Sequence, residues 1–73
     1  SGAEVDFVVK RLPHIYPFEI TYGSQAETKK VRNLGSFCQD ESKVDYAYYI
    51  YMGEFKIDED KKIIFIPAWA ICS

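Results

Sequence analysis

Alternation of apolar and polar side chains opens the chain and predicts two strands. Residues 5–12 place Phe7 and Val9 on one face, and residues 15–22 alternate in the same way. A period of two is typical of a strand that is buried on one side. Pro17 cannot donate a ladder hydrogen bond, so the second strand is expected at a sheet edge or to begin after the proline.

A helix is predicted over residues 25–34. Residues 24–27, Ser-Gln-Ala-Glu, match a capping box, and Gly35 stands where a left-handed residue often ends a helix. Val31 and Leu34, three residues apart, are its apolar anchors. So short a helix is marginal alone in water, so we expect it to dock on a sheet.

The second half of the chain predicts a loop and three further strands. Residues 36–42 are rich in serine and acidic side chains, which indicates a loop. Strands follow at residues 43–52, 55–57 and 62–72. The last is apolar on both faces, which indicates a central strand covered on both sides, and Pro67 predicts a bulge or bend within it.

The element order is therefore β-β-α-β-β-β, and the fold class is α+β. We expect a mainly antiparallel sheet of about five strands, its last three forming a meander, with one short helix on one face. The alternative is a small bent β-barrel in which residues 25–34 are a helical loop. Residues 1–73 form one domain, with residues 1–3 set aside as a remnant of cleavage. An apolar strand at the end of the chain suggests either that its terminus is held in the sheet or that the chain is excised from a larger protein.

Composition and charge narrow the function classes. The chain is 48% hydrophobic and carries a net charge of −2, which excludes the strongly basic surface needed for non-specific duplex binding. No apolar run is long enough to span a membrane. The compartment is left open by these features.

Two cysteines, Cys38 and Cys72, lie 34 residues apart in the sequence. They are either separate reduced thiols or a disulfide, which would contribute about 3–4 kcal/mol if unstrained. No Cys/His cluster occurs, so we expect neither a metal nor a cofactor.

Catalytic constellations are weak in this sequence, and we expect no enzyme. His14 is the single histidine and falls in a predicted turn. The acidic residues 40–41 and 58–60 also fall in predicted turns, where carboxyl pKa values stay ordinary and no cleft excludes water.

Tyrosines of the strand at residues 43–52 are the most distinctive feature. Tyr46 and Tyr48 share a face with apolar neighbours and are expected in the core, whereas Tyr49 and Tyr51 point the other way and are expected to be exposed. Exposed aromatic side chains anchor protein interfaces or stack bases and sugar rings. The plainer interpretation is cross-strand packing within the sheet.

The favoured hypothesis is a non-enzymatic protein-interaction module, in which Tyr49, Tyr51 and Trp69 bind a protein partner or a second copy. An open edge at the strand of residues 15–22 offers a second mode, by strand addition.

A ligand-binding domain is the alternative function. It would stack single-stranded nucleic acid or a glycan on the same tyrosines, with Lys29 and Arg32 supplying positive charge. The plainer role of these two basic residues is to solubilise the exposed face of the helix.

Residues 63–71, with Pro67-Ala68-Trp69, resemble the final strand of PepSY-type extracytoplasmic modules. The resemblance covers the end of the chain alone and implies a further alternative, an extracytoplasmic regulatory module. It assigns no site residue.

Overall fold

A computed structural model describes residues 4–72, apart from the side chain of Cys72. Residues 1–3, set aside above as a remnant, lie outside this range. The elements are β1 (Phe7–Arg11), β2 (His14–Ile20), α1 (Thr28–Asp40), β3 (Ala47–Tyr51), β4 (Lys56–Asp58), β5 (Ile63–Pro67) and α2 (Ala68–Cys72). The α+β class is confirmed. The sheet is open, so the barrel alternative is wrong.

The five strands form one mixed sheet in the order β1-β2-β3-β5-β4. The interior strands β2, β3 and β5 run parallel, and β1 and β4 add antiparallel at the two edges. The expected mainly antiparallel meander is therefore wrong. Helix α1 returns the chain so that β3 runs parallel to β2, and apolar β5 takes the interior place beside β3. The short, exposed strand β4 lies at the edge of the sheet. Its charged residues suit that position, because an edge strand faces solvent.

Strand β2 is an interior strand and not the expected edge. The N–H groups of Ile15 and Thr21 point to the β3 side, where they donate to Lys43 O and Ile50 O. Alternate residues of a strand direct their N–H groups to the same side, so the nitrogen of Pro17 also faces β3. The β2–β3 ladder, however, begins only at Phe18. The missing N–H of the proline therefore falls ahead of the ladder and leaves the strand intact.

Helix α1 starts and ends later than the sequence indicates. The capping box does not form, because the Glu27 carboxylate accepts a hydrogen bond from the Thr21 hydroxyl at 2.6 Å, and no side chain caps the helix. Gly35 lies inside the helix and not after it, with a φ outside the left-handed region. Most of the predicted loop at residues 36–42 is consequently helical.

The core lies between α1 and one face of the sheet. Leu34, fully buried, is the helix residue at its centre. The sheet contributes five buried side chains: Ala47, Tyr49, Tyr51, Ile63 and Phe65.

Strand β5 stops at Pro67, and α2 begins at Ala68. The predicted interior position of this strand is confirmed, but the bulge at Pro67 is a strand end instead. Proline is suited to that position because it lacks the N–H that a continuing ladder would use. The strand resemblance to PepSY-type modules therefore stops at Pro67.

Two glycines give a matched test of this packing. Gly35→Ala is expected to raise the free energy of unfolding by about 0.5–1 kcal/mol, because alanine favours the helix and, apart from its chain neighbours and the helix's own backbone, no atom lies within 4 Å of the new Cβ. Gly53→Ala is expected to lower it, because its Cβ would lie 2.6 Å from Ser24 O and from the Tyr51 ring. Urea unfolding measures both. A destabilised Gly35→Ala protein would contradict the helical placement.

Candidate functional site

The sheet face opposite α1 is apolar on all five strands, and we call it the apolar sheet face. It consists of Phe7, Val9, Tyr16, Phe18, Ile20, Tyr48, Ile50, Ile57, Ile64 and Ile66. None of these side chains is buried, whereas the opposite face holds the core.

A row of side chains in register crosses this face from edge to edge. Its members, one from each strand, are Phe7, Phe18, Tyr48, Ile64 and Ile57. The Phe7 and Phe18 rings stack with centroids 4.6 Å apart and planes 6° apart. The rings of Phe18 and Tyr48 stack at 5.1 Å. The rings hold each other in a flat array, so the surface is ordered before anything binds to it.

Exposure of the apolar sheet face is greatest toward its edges. Phe7 is 41% exposed, Val9 39% and Ile57 48%. Isolated apolar residues on a protein surface are common, but a contiguous patch that crosses a whole sheet indicates a binding surface.

The two ends of the apolar sheet face differ in polarity. Polar groups lie where the parallel strands begin: His14 Nδ1 is 3.5 Å from Asp45 Oδ2, and the Tyr46 hydroxyl donates to Glu59 Oε1 at 2.8 Å. That hydrogen bond to Glu59 raises the pKa of Tyr46.

Exposed large side chains follow the carboxyl ends of the parallel strands. They are Tyr22, Met52 and Trp69, and Tyr22 is 94% exposed.

Tyr49 and Tyr51 are buried, so the prediction that they form an exposed pair is wrong. Their side chains are 0% and 4% exposed. The Tyr49 hydroxyl accepts a hydrogen bond from the Glu27 N–H at 2.8 Å, and the Tyr51 hydroxyl donates to Glu54 O. These partners remove the cost of burying the polar ends of the rings. A binding role for either side chain would require the core to open.

Tyr46 and Tyr48, expected in the core, lie half-buried on the opposite side of β3. The sequence prediction assigned the two faces of this strand the wrong way round. Both faces carry tyrosine, so periodicity alone could not decide which one α1 covers.

The remaining predicted site residues are exposed but do not lie together in one site. Trp69, on α2, is 68% exposed, as an anchor must be. Lys29 and Arg32 are exposed on α1, which packs on the other face of the sheet. Lys29 borders one surface depression and Arg32 another, so the two do not form one positive patch with the aromatic row.

A polar network that includes the buried Glu19 lies near the start of the described chain, and the sequence prediction missed it. The Asp6 N–H donates to Glu19 Oε1, and the Ile20 N–H donates to Asp6 Oδ2, each at 2.8 Å. Lys30 Nζ lies 3.2 Å from Asp6 Oδ2 and also donates to the Ile20 carbonyl. The residue before β1, strand β2 and helix α1 are thereby tied together. The sequence feature that pointed to this network is Glu19. Its carboxylate lies on the same side of β2 as Pro17, and both residues are buried.

Contacts within this network and burial shift the pKa values of its three charged groups, Asp6, Glu19 and Lys30. The Ile20 N–H, followed by Lys30, holds the pKa of Asp6 below its ordinary value. Burial raises the pKa of Glu19, which is 2% exposed. Burial alone would lower the pKa of Lys30, but its hydrogen bond to Asp6 and the nearby negative charges raise it. These groups satisfy one another, which favours a structural role for the network.

Several other expectations bear on the site. In the part of the chain that the structure describes, no group of three or more His, Cys, Asp or Glu side chains could hold a metal ion. Among the same residues no helix has the length and apolarity needed to cross a membrane. Cys38 is half-buried, and burial raises the pKa of its thiol. The Cys72 side chain lies outside the described residues, so the disulfide stays a prediction.

Comparison with known proteins gives one match. A family model described as Domain of unknown function (DUF4143) matches residues 1–71. No curated protein and no solved structure matches the chain.

The buried carboxylate gives a pH-dependent prediction. A raised pKa for Glu19 means that the folded state favours the protonated acid. Its stabilising contribution is then present below the unfolded pKa, about 4.3, and is lost as the pH rises through the folded value. Glu19→Gln keeps an oxygen acceptor for the Asp6 N–H and removes the buried charge.

We therefore expect the stability of Glu19→Gln relative to wild type to increase as the pH rises above about 4.3, the unfolded pKa of a glutamate. Urea unfolding at a series of pH values above this pKa measures the difference, with Glu54→Gln at an exposed carboxylate as the control. A difference that stays constant with pH would contradict the shifted pKa.

Proposed function

The chain belongs to the DUF4143 family, and we propose that it is a non-enzymatic protein-interaction module that binds a polypeptide through the apolar sheet face. The observation that carries the proposal is the row from Phe7 to Ile57, which crosses all five strands without one buried side chain. An apolar surface of this continuity gains free energy when water leaves it.

Aromatic rings at the centre of the face supply the anchors. Phe18 and Tyr48 stack on each other, with the ring of Phe7 stacked on Phe18 on one side and the aliphatic Ile64 beside Tyr48 on the other. Tyrosine and other large aromatics dominate the energy of protein interfaces, since they bury much area for little lost rotamer freedom. Trp69 is the one member of the original anchor set that stays exposed, and it extends this role to α2.

Charge favours a polypeptide over single-stranded nucleic acid. The chain carries a net charge of −2, and the polar end of the face pairs His14 with Asp45. A surface that tracks a phosphate backbone is expected to be basic. Lys29 and Arg32, which would have supplied that charge, lie on the helix that covers the opposite face.

The face is also a better site than the open strand edges. Strand β4 is three residues long and carries Lys56 and Asp58, and β1 ends in Lys10 and Arg11. Short and charged edges discourage the addition of another strand.

A displayed library of random peptides tests the proposal. The chain is immobilised and the library is selected against it alone, and each enriched peptide is then measured on the double variant Val9→Gln/Ile57→Gln. Both side chains are more than a third exposed, so the variant is expected to keep its fold, which circular dichroism checks. We expect enriched peptides to lose about tenfold or more in affinity for this variant.

Lys29→Ala/Arg32→Ala is the matched control, because it changes two exposed side chains on the other side of the sheet. It should alter peptide affinity by less than about twofold. Peptides that bind wild type and the Val9/Ile57 variant equally would contradict the proposal. So would poly(dT) binding that weakens with salt and is lost in the control variant, which favours nucleic acid.

A further inference from the structure

We infer that the polypeptide bound by the apolar sheet face is an amphipathic α-helix that lies over β2 and β3, opposite α1. This inference rests on the proposed function and names the kind of partner it requires.

Strand direction is the first reason. The three interior strands are parallel, although the edge strands are not, and sheets that are parallel throughout occur almost only where helices cover both faces. Among the residues that the structure describes, α1 packs on one face, and the apolar sheet face holds no buried side chain. Strands β3 and β5 are apolar on both faces, which is the sequence pattern of strands covered on two sides.

The fit of α1 on the same strands is the second reason. That helix has 13 residues, which gives a length of about 20 Å. It packs on β2 and β3. Strands of five to seven residues span about 16–23 Å. A second helix of similar length would match the exposed side of the same two strands, where the rings of Phe18 and Tyr48 lie.

Two rival occupants fit less well. An extended segment would add to an edge strand and would leave the central row uncovered. A second copy would pack sheet on sheet, an arrangement formed by antiparallel sheets, whereas the interior strands here are parallel.

Two synthetic peptides of identical Leu and Lys composition, roughly 14 residues each, test the inference. One places Leu at i, i+3, i+4 and i+7, which forms an apolar helix face, and the other alternates Leu and Lys, which forms an apolar strand face. Fluorescence anisotropy of labelled peptides measures binding, and composition and charge are the same in both.

We expect the helix-period peptide to bind at least about tenfold more tightly than the alternating peptide, and to lose this advantage with Val9→Gln/Tyr48→Gln, which changes β3 under the helix and the strand beside β2. Replacing a central Lys of the helix-period peptide by Pro should weaken binding by about tenfold or more, whereas Ala at that position should change it little. The Lys29→Ala/Arg32→Ala protein serves again as the control.

Each contrary result would overturn either the helical partner or the proposed function. Equal or tighter face-dependent binding of the alternating peptide would overturn the helical occupant and leave polypeptide docking intact. Sedimentation that shows a dimer, lost in Val9→Gln/Ile57→Gln, would replace the helix by a second copy. Peptide binding that ignores the face variant would overturn the proposed function itself.

Discussion

Docking of α1 on the sheet is the contact on which the rest of the structure depends. Leu34 is fully buried against the face that holds Ala47 and Tyr49, and Ala47 leaves room for the helix beside the larger rings. Successive side chains of a strand point to opposite faces, so when Ala47 and Tyr49 pack against α1, Tyr48 lies on the apolar sheet face. The apolar sheet face is thus a consequence of where the helix packs, since every strand is apolar or aromatic on its outward side.

The polar network of Asp6, Glu19 and Lys30 fixes how α1 is positioned on the sheet. Asp6 binds the backbone of β2 through its carboxylate, and Glu19 binds the backbone of Asp6. Lys30 joins α1 to Asp6, the residue before β1, and to the Ile20 carbonyl of β2. Glu19 is the buried member of this network, and breaking its contact with the Asp6 N–H would leave its carboxylate unpaired, so the network favours one arrangement. Helix and sheet are therefore held on one side, and the aromatic row is left on the other.

Much of the fold was predictable from sequence, and the candidate site was not. Local alternation indicated all five strands, and the apolar faces of residues 62–72 indicated an interior strand. Parallel pairing was missed because it depends on the crossover by α1, which is a long-range contact. Glycine often ends helices, so the sequence predicts a helix end at Gly35, yet α1 continues past it to Asp40.

The exchange of faces in β3 has a similar cause. Both sides of the strand carry tyrosine, and hydroxyl partners decide which rings can be buried. The partners of Tyr49 and Tyr51 are backbone groups of Glu27 and Glu54, which periodicity does not reveal.

Solvent accessibility of the two sets of rings is the most direct test of this account. A soluble gadolinium chelate broadens the NMR signals of ring protons that solvent can reach. The account predicts strong broadening for Phe7 and Tyr48, and protection for Tyr49 and Tyr51. Broadening of Tyr49 with protection of Tyr48 would place the helix on the opposite face and contradict the account.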